Sequence, residues 1–296
     1  MSLSTHHLRS GIVTAVTAVI AVALTGCGGP APAEKPTGAP ASSAAPATAT
    51  ASASTASAST TSASRTPGPT TTMGQLCGRP DVEAKRDVLA GPEGGQLTMF
   101  SVGSGPTVAL LLHQTGRSAS CGWWPYANHL AASGVRAVML DLCGYGASTC
   151  DVNRPWAHDY PAQVALAATR LRADGAQRLT LVGASLGGTV ASLSAAPAKA
   201  DAVVNLSGFG YGTMVTGPAL ATLTIPVLGA GSHNEEGDSA QLEREIAASA
   251  SPTKRFVWAE LGHGWNLVLD GPMPDSPLTP LGRVVIGWVK GDYAVT

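Results

Sequence analysis

Residues 181–189 read LVGASLGGT: an apolar run, a serine between two glycines, then the opening of a segment rich in Ala and Leu. Glycine supplies 35 of the 296 residues and serine is common too. A G-x-S-x-G match therefore arises by chance about 0.4 times in a chain of this composition. The five-residue pattern decides little alone, and its setting decides more. Residues 179–183 have the continuous apolar character of a strand covered on both faces, and 186–196 have the spacing of a helix. A serine on such a strand-to-helix turn is lifted above the sheet edge, beside helix amides that favour negative charge.

The same alternation runs through the flanking chain. Strands are expected at 96–102, 108–113, 136–141, 179–183, 202–206, 225–230 and 255–261, several of them continuous apolar runs such as TVALLLH and RAVMLD. Helices are expected at 123–133, 159–173, 186–196, 239–250 and 277–289. Asp238 reads as the cap of the helix that starts at Ser239. Strands alternating with helices indicate an α/β fold with a mostly parallel, doubly wound sheet, and in such sheets chemistry gathers at the carboxyl ends of the strands.

The N-terminus has a different character. His6, His7 and Arg9 precede a short apolar run at 12–24, too short to span a bilayer and suited to a signal peptide. It ends in LTGC (24–27), which resembles the bacterial lipoprotein cleavage box. That resemblance implies cleavage before Cys27 and acylation of Cys27, placing the protein outside the cytoplasm on the cell membrane. From Gly28 to about Thr72 the chain is almost all Ala, Pro, Ser, Thr and Gly, which cannot bury enough surface to offset its ordering entropy. The expected organisation is a signal peptide at 1–26, a lipidated Cys27 with a disordered tether to 75, and one domain at 76–296. The net charge is −1 and no basic cluster interleaved with aromatics occurs, which excludes nucleic acid as a natural partner. Cys77, Cys121, Cys143 and Cys150 are an even set in an exported domain, favouring two disulfides over free thiols. C-x-x-C spacing is absent, so no metal is expected.

Across about residues 95–290 the domain resembles the α/β-hydrolase superfamily. LLLHQTG (110–116) looks like the family's segment after the third strand, DLCGYGAS (141–148) like its D-x-x-G-x-G-x-S turn, and LGHGWNLV (261–268) like its catalytic-histidine segment. The resemblance implies Ser185 as nucleophile and His263 as its base, with His113 orienting the oxyanion loop. It also implies an oxyanion hole made from the backbone amides of Leu186 and Thr115. No cofactor is implied. The third catalytic member departs from the family pattern. After the strand at 225–231 comes SHNEEGD, where Asn234 occupies the counted position of the usual aspartate. A turn one residue longer presents Glu235, and two residues longer Glu236; Glu235 is the first choice and Glu236 the second. Cys143–Cys150 with Cys77–Cys121 is the first choice of pairing, and Cys121 could equally pair with Cys143 or Cys150.

About 18 residues separate Gly208 from Ile225, too few for the helical cap of many lipases and epoxide hydrolases. The chain thus resembles the compact, cap-less dienelactone-hydrolase-like and esterase branches. Trp123, Trp124, Phe209, Tyr211 and Trp265 are candidates for the pocket wall or for core packing. The expected function is a monomeric, membrane-tethered serine esterase acting on small ester or thioester substrates through an acyl-enzyme. An acyltransferase and a catalytically inactive envelope binding protein are the alternatives. If Cys27 carries the lipid, labelled palmitate should enter the wild-type protein in cells and be absent from Cys27→Ser.

Overall fold

Five strands bury every position or all but their first, and they form the middle of the sheet: β3 (Thr107–Leu112), β4 (Arg136–Asp141), β5 (Arg178–Ala184), β6 (Ala202–Leu206) and β7 (Val227–Ser232). The computed structural model describes residues 71–116, 119–271 and 275–296. The signal stretch, Cys27 and the tether up to residue 70 lie outside the described residues.

The sheet has eight strands in the order β1-β2-β4-β3-β5-β6-β7-β8. It is completed by β1 (Lys85–Ala90), β2 (Gln96–Val102) and β8 (Lys254–Ala259). β1 pairs antiparallel with β2 and β2 with β4, while every pairing from β4 to β8 is parallel. The register keeps each face uniform. Leu110, Leu181, Val203 and Val227 lie in line across four strands, and so do their neighbours Leu111, Val182, Val204 and Leu228. Side chains alternate along a strand, so the two rows enter opposite cores. The first row packs beneath α3 (Tyr160–Ala173), α4 (Leu186–Ser194), α5 (Gly217–Thr222) and α6 (Glu236–Ala248). The second packs beneath α2 (Ser120–Ala132) and α7 (Pro280–Lys290), around the buried Trp123, Tyr126 and Trp288.

Differences from the sequence reading have local causes. β1 was not expected; it is a polar edge strand, KRDVLA, with one fully buried residue. Two short helices were also missed, α5 and α1 (Met73–Cys77), the latter closed by a capping box between Thr72 and Gln75. β7 starts two residues later than expected, after Pro226, which has no N–H to donate to a ladder. α7 starts at Pro280, where the Thr279 side chain accepts from Gly282 N. Asp238 does not cap α6. That helix starts at Glu236 with Glu235 in the cap position, and Asp238 lies in its first turn, where a carboxylate suits the helix dipole. The Ser239 hydroxyl is used elsewhere, accepting from Ser232 N at 2.9 Å.

At the switch between β3 and β5 the chain leaves in opposite directions, and there the β5–α4 turn is packed to backbone contact. A Cβ on Gly183 would sit 1.9 Å from the Gly187 carbonyl oxygen, and one on Gly187 would sit 2.0 Å from that of Leu112. Neither obstacle is a side chain that could rotate away. Gly183→Ala and Gly187→Ala are each expected to destabilise by about 3 kcal/mol, the upper end of the overpacking range. Chemical denaturation measures this, and a loss near zero would mean that α4 can withdraw from the sheet.

Candidate active site

Ser185 follows β5 and precedes α4 with φ 52 and ψ −116, a left-handed region that non-glycine residues avoid. Its surroundings hold it there. Ser185 N donates to Leu206 O at 2.8 Å, and Thr189 N donates to Ser185 O at 3.1 Å. Ser185 is half-buried, at the carboxyl end of a central strand. Leu186 opens α4, where first-turn amides have no partner inside the helix.

The loop bearing His263 is fastened to the same strand ends. The Ser232 hydroxyl donates to Gly262 O at 2.6 Å, and Gly262 N donates to Asn234 Oδ1 at 3.0 Å. Gly264 N donates to the Ser207 hydroxyl at 3.2 Å, and Ser207 immediately follows the residue that accepts from Ser185 N. Built onto Gly264, a Cβ would come within 3.1 Å of the Ala184 Cβ. The serine turn and the histidine loop are therefore direct neighbours. His263 Nδ1 lies 2.8 Å from both Glu235 carboxylate oxygens. Donation from Nδ1 to that carboxylate fixes the tautomer and leaves the Nε2 lone pair free to accept a proton. Both side chains are largely shielded, at 33% exposure for His263 and 24% for Glu235.

Of the acids weighed in the sequence, the structure pairs Glu235 with His263. Glu236 is exposed at the start of α6, and Asn234, in the counted position, clamps the Gly262 amide. The extra residue is accommodated by a short 3-10 turn over His233–Glu235. The remaining histidines have other partners. His233 stacks on Trp258 with ring centroids 4.9 Å apart, His158 bonds to Val152 O and His129 to Ser276 O.

On the other side of Ser185, His113 is fully buried and donates from Nδ1 to Gln114 O at 2.8 Å, while its Nε2 accepts from Leu142 N at 3.2 Å. Burial holds its pKa below the ordinary value, so the neutral ring suits these bonds. It thereby secures the start of the loop that carries Thr115, an exposed residue. Asp141 secures the end of that loop. It accepts from Ser120 N and from the Ser120 hydroxyl at 3.0 and 2.5 Å, and from Ala147 N at 2.8 Å. Gly146 at φ 53 makes room for the carboxylate, since a Cβ there would lie 2.1 Å from Asp141 Oδ2.

Sequence reasoning named Tyr211 but missed Tyr145 and Tyr160 beside it. Tyr145 lies on the His113 ring, centroids 4.8 Å apart, and its side chain hydrogen-bonds with those of Tyr160 and Tyr211. Burial, reinforced by the two neighbouring phenols, pushes the Tyr145 hydroxyl well above its ordinary pKa, so it stays a donor. Spacing in the sequence could not show this cluster, because the loop after β4, the first turn of α3 and the segment after β6 supply it. Trp123 and Trp124 are packing residues: Trp123 is fully buried and donates to Leu112 O, and Trp124 donates to Glu83 O beneath Arg79. Trp265 covers Gly122, while Phe209 and Tyr211 follow β6. The cysteines pair as Cys77–Cys121 and Cys143–Cys150, the first choice from the sequence. The first ties α1 to the start of α2, and the second closes the loop after β4.

A family model described as alpha/beta hydrolase fold matches residues 108–230. An esterase of Exiguobacterium antarcticum aligns with 70% of this chain and 100% of its own, at 13% identity and a TM-score of 0.56. A Pyrococcus furiosus esterase aligns over 61% and 83%, at 14% and 0.53. A putative epoxide hydrolase of Pseudomonas aeruginosa aligns over 72% and 97%, at 14% and 0.53. No curated protein matches the chain in sequence. At these identities the structural likeness establishes the fold, with its sheet, its crossovers and the position of the β5–α4 turn.

If Glu235 orients His263, Glu235→Gln should lower kcat on short nitrophenyl esters on the order of 100-fold or more, with Glu236→Gln close to wild type. Equal, small effects would mean that the Glu235–His263 pair is not used.

Proposed function

We propose that this chain, which has the α/β-hydrolase fold, is an exported serine hydrolase of carboxylesterase type that cleaves small ester or thioester substrates. The observation that carries the reading is the Glu235–His263 pair, held on a loop that hydrogen bonds tie to the strained Ser185 turn. A serine hydroxyl is a weak nucleophile at neutral pH and needs a base beside it. In the proposed route His263 Nε2 takes the proton from Ser185 Oγ as that oxygen adds to the substrate carbonyl. The charge that develops on the carbonyl oxygen is met by the amides of Leu186 and Thr115. One such donor supplies about 2.7–4 kcal/mol in enzymes where it has been removed. His263 then returns its proton to the departing alcohol or thiol, leaving an acyl-Ser185. A water molecule gives a proton to His263 as it attacks the acyl carbon, and His263 passes that proton to Ser185 Oγ as the acid leaves. Glu235 stabilises the imidazolium in both halves without taking the proton itself.

The structure places only α5, six residues long, between β6 and β7, so no helical cap covers the site from that connection. An open cleft suits small substrates or the end of a larger one. We extend the proposal to location: LTGC at 24–27 supports lipid attachment at Cys27 on the outer side of the cell membrane. An acyl chain there adds roughly 0.8 kcal/mol of membrane affinity per buried methylene.

A fluorophosphonate probe with mass spectrometry of the adduct tests the chemistry. Ser185 should be labelled in the wild-type protein and unlabelled in His263→Ala. Folded wild-type protein that neither labels nor turns over short nitrophenyl esters would refute the reading.

A further inference from the structure

The charges of the domain are sorted between the two ends of its sheet. All four lysines among the described residues, Lys85, Lys199, Lys254 and Lys290, are exposed and lie at the amino end of the parallel strands. Lys85 opens β1, which runs in the direction of β4 through two antiparallel pairings, and Lys254 opens β8. Lys199 stands just before β6, where its carbonyl accepts from Arg172 at the end of α3. Lys290 ends α7, whose Trp288 and Val289 carbonyls accept from Arg178 at the start of β5. The carboxyl end, where Ser185 sits, has the opposite sign. Glu93, Asp159, Glu236, Asp238 and Glu260 are exposed there, and none of the four lysines is.

The acids of the amino end do not neutralise it. Asp81 pairs with Arg79, Asp87 and Asp174 with Arg170, and Asp201 with Arg172. Arginines take up these carboxylates, and no lysine is in an ion pair among the described residues. Glu83 and Asp292 are the other acids of this end. Lys254, Arg178 and Arg255 donate to carbonyl oxygens, which orient a cation and leave its charge in place. The whole chain has a net charge of −1, so the surplus comes from placement. Lys85 and Lys254 stand on the two outermost strands of the sheet, roughly 33 Å apart at ordinary strand spacing. Charges so far apart cannot meet on one small anion, and they suit an extended anionic surface. The chain also enters the domain near this end. Thr72 lines one cavity with Lys85 and with Ser101, Val102 and Gly103, where β2 ends.

We propose that the amino end of the sheet is a docking surface for a bilayer containing anionic lipid, so that the domain rests on its membrane with the Ser185 edge turned away. The inference rests on the tether reading above, in which Cys27 carries the lipid. Each lysine brought to an anionic bilayer strengthens binding about fivefold. A tethered domain meets that surface at high effective concentration, so a few lysines suffice to hold it there. The reverse orientation would press Glu93, Asp159, Glu236 and Glu260 against like charge. Substrate therefore reaches Ser185 from the side away from the bilayer, as an ester in the surrounding water or envelope rather than a lipid of the bilayer itself.

The test uses the full-length protein, processed in cells and reconstituted in vesicles. Flotation with pure phosphatidylcholine vesicles is measured first; protein that does not float lacks the anchor, which overturns the tether reading and this inference with it. Floating protein is then acetylated with a water-soluble N-hydroxysuccinimide ester, and each lysine is followed by mass spectrometry. On vesicles that also contain phosphatidylglycerol, the four lysines should react about fivefold or more slowly than on phosphatidylcholine alone. High salt should abolish that difference by screening. Lys85→Gln, Lys199→Gln and Lys290→Gln combined should release Lys254, the remaining reporter, to its rate on phosphatidylcholine. Adding Glu93→Gln, Glu236→Gln and Glu260→Gln at the other end returns the three charges to the chain and should not restore protection. A fluorophosphonate should label Ser185 equally fast on both vesicles. Lysines that react equally on the two vesicles would overturn the proposal. So would protection that returns in the compensated variant, or a Ser185 shielded by the anionic vesicle. The lysine readout needs no turnover, so if Ser185 labels on neither vesicle the hydrolase reading falls and the docking is still decided.

Discussion

The site depends on one backbone conformation, that of Ser185 at φ 52. A serine does not rest there unaided, and the cost of such a residue is of order 1–3 kcal/mol. It is imposed by how closely β5, α4 and β3 approach each other. Gly183 and Gly187 each lie within 2.0 Å of a neighbouring carbonyl oxygen, measured from the Cβ they lack. With the strand, the helix and the adjacent strand this near, the turn between them has one path. The fully buried central strands are what make the approach rigid. The geometry of the Ser185 turn is thus secured by the core.

Around this turn the loops are held by hydrogen bonds more than by apolar contact. Asn205 is an example, accepting from Gly208 N and donating to Gly208 O and to the Ser192 hydroxyl, which anchors the loop after β6 on α4. Ser207, Ser232 and Asn234 do the same for the histidine loop, and Asp141 and His113 for the oxyanion loop. These are short polar side chains at the ends of strands, where ladder partners run out and backbone groups need satisfying.

What could be read in the sequence followed burial. β2, β4 and β6 fall on the expected residues, because an unbroken apolar run between polar or glycine punctuation has few alternative frames. β1 could not be seen that way, since one neighbour and one buried face leave it a polar composition. The position of Ser185 on a strand-to-helix turn and that of His263 on the loop after the last strand were legible. The side chain facing His263 was only narrowed to Asn234, Glu235 and Glu236. Three adjacent polar residues in a turn differ in direction by the geometry of that turn, and no composition records it. The 3-10 turn at His233–Glu235 selects Glu235 and turns Asn234 toward Gly262. The grouping of Tyr145 and Tyr160 with Tyr211 was illegible for a related reason, since it is the fold that brings the segment after β6 to the loop after β4 and the start of α3.

The Cys77–Cys121 bridge has a mechanical side. It joins residues 44 apart, the first at the end of α1 and the second in the first turn of α2. A pull arriving along the N-terminal chain reaches Cys77 before it reaches β1, and the covalent bond passes it straight to α2, packed against the sheet through the buried Trp123, Tyr126 and Leu130. The antiparallel edge formed by β1 and β2, which would otherwise unzip strand by strand, carries none of that load. The domain is in effect hung from its core, and motion of whatever holds the N-terminus is not paid out as unravelling of the edge.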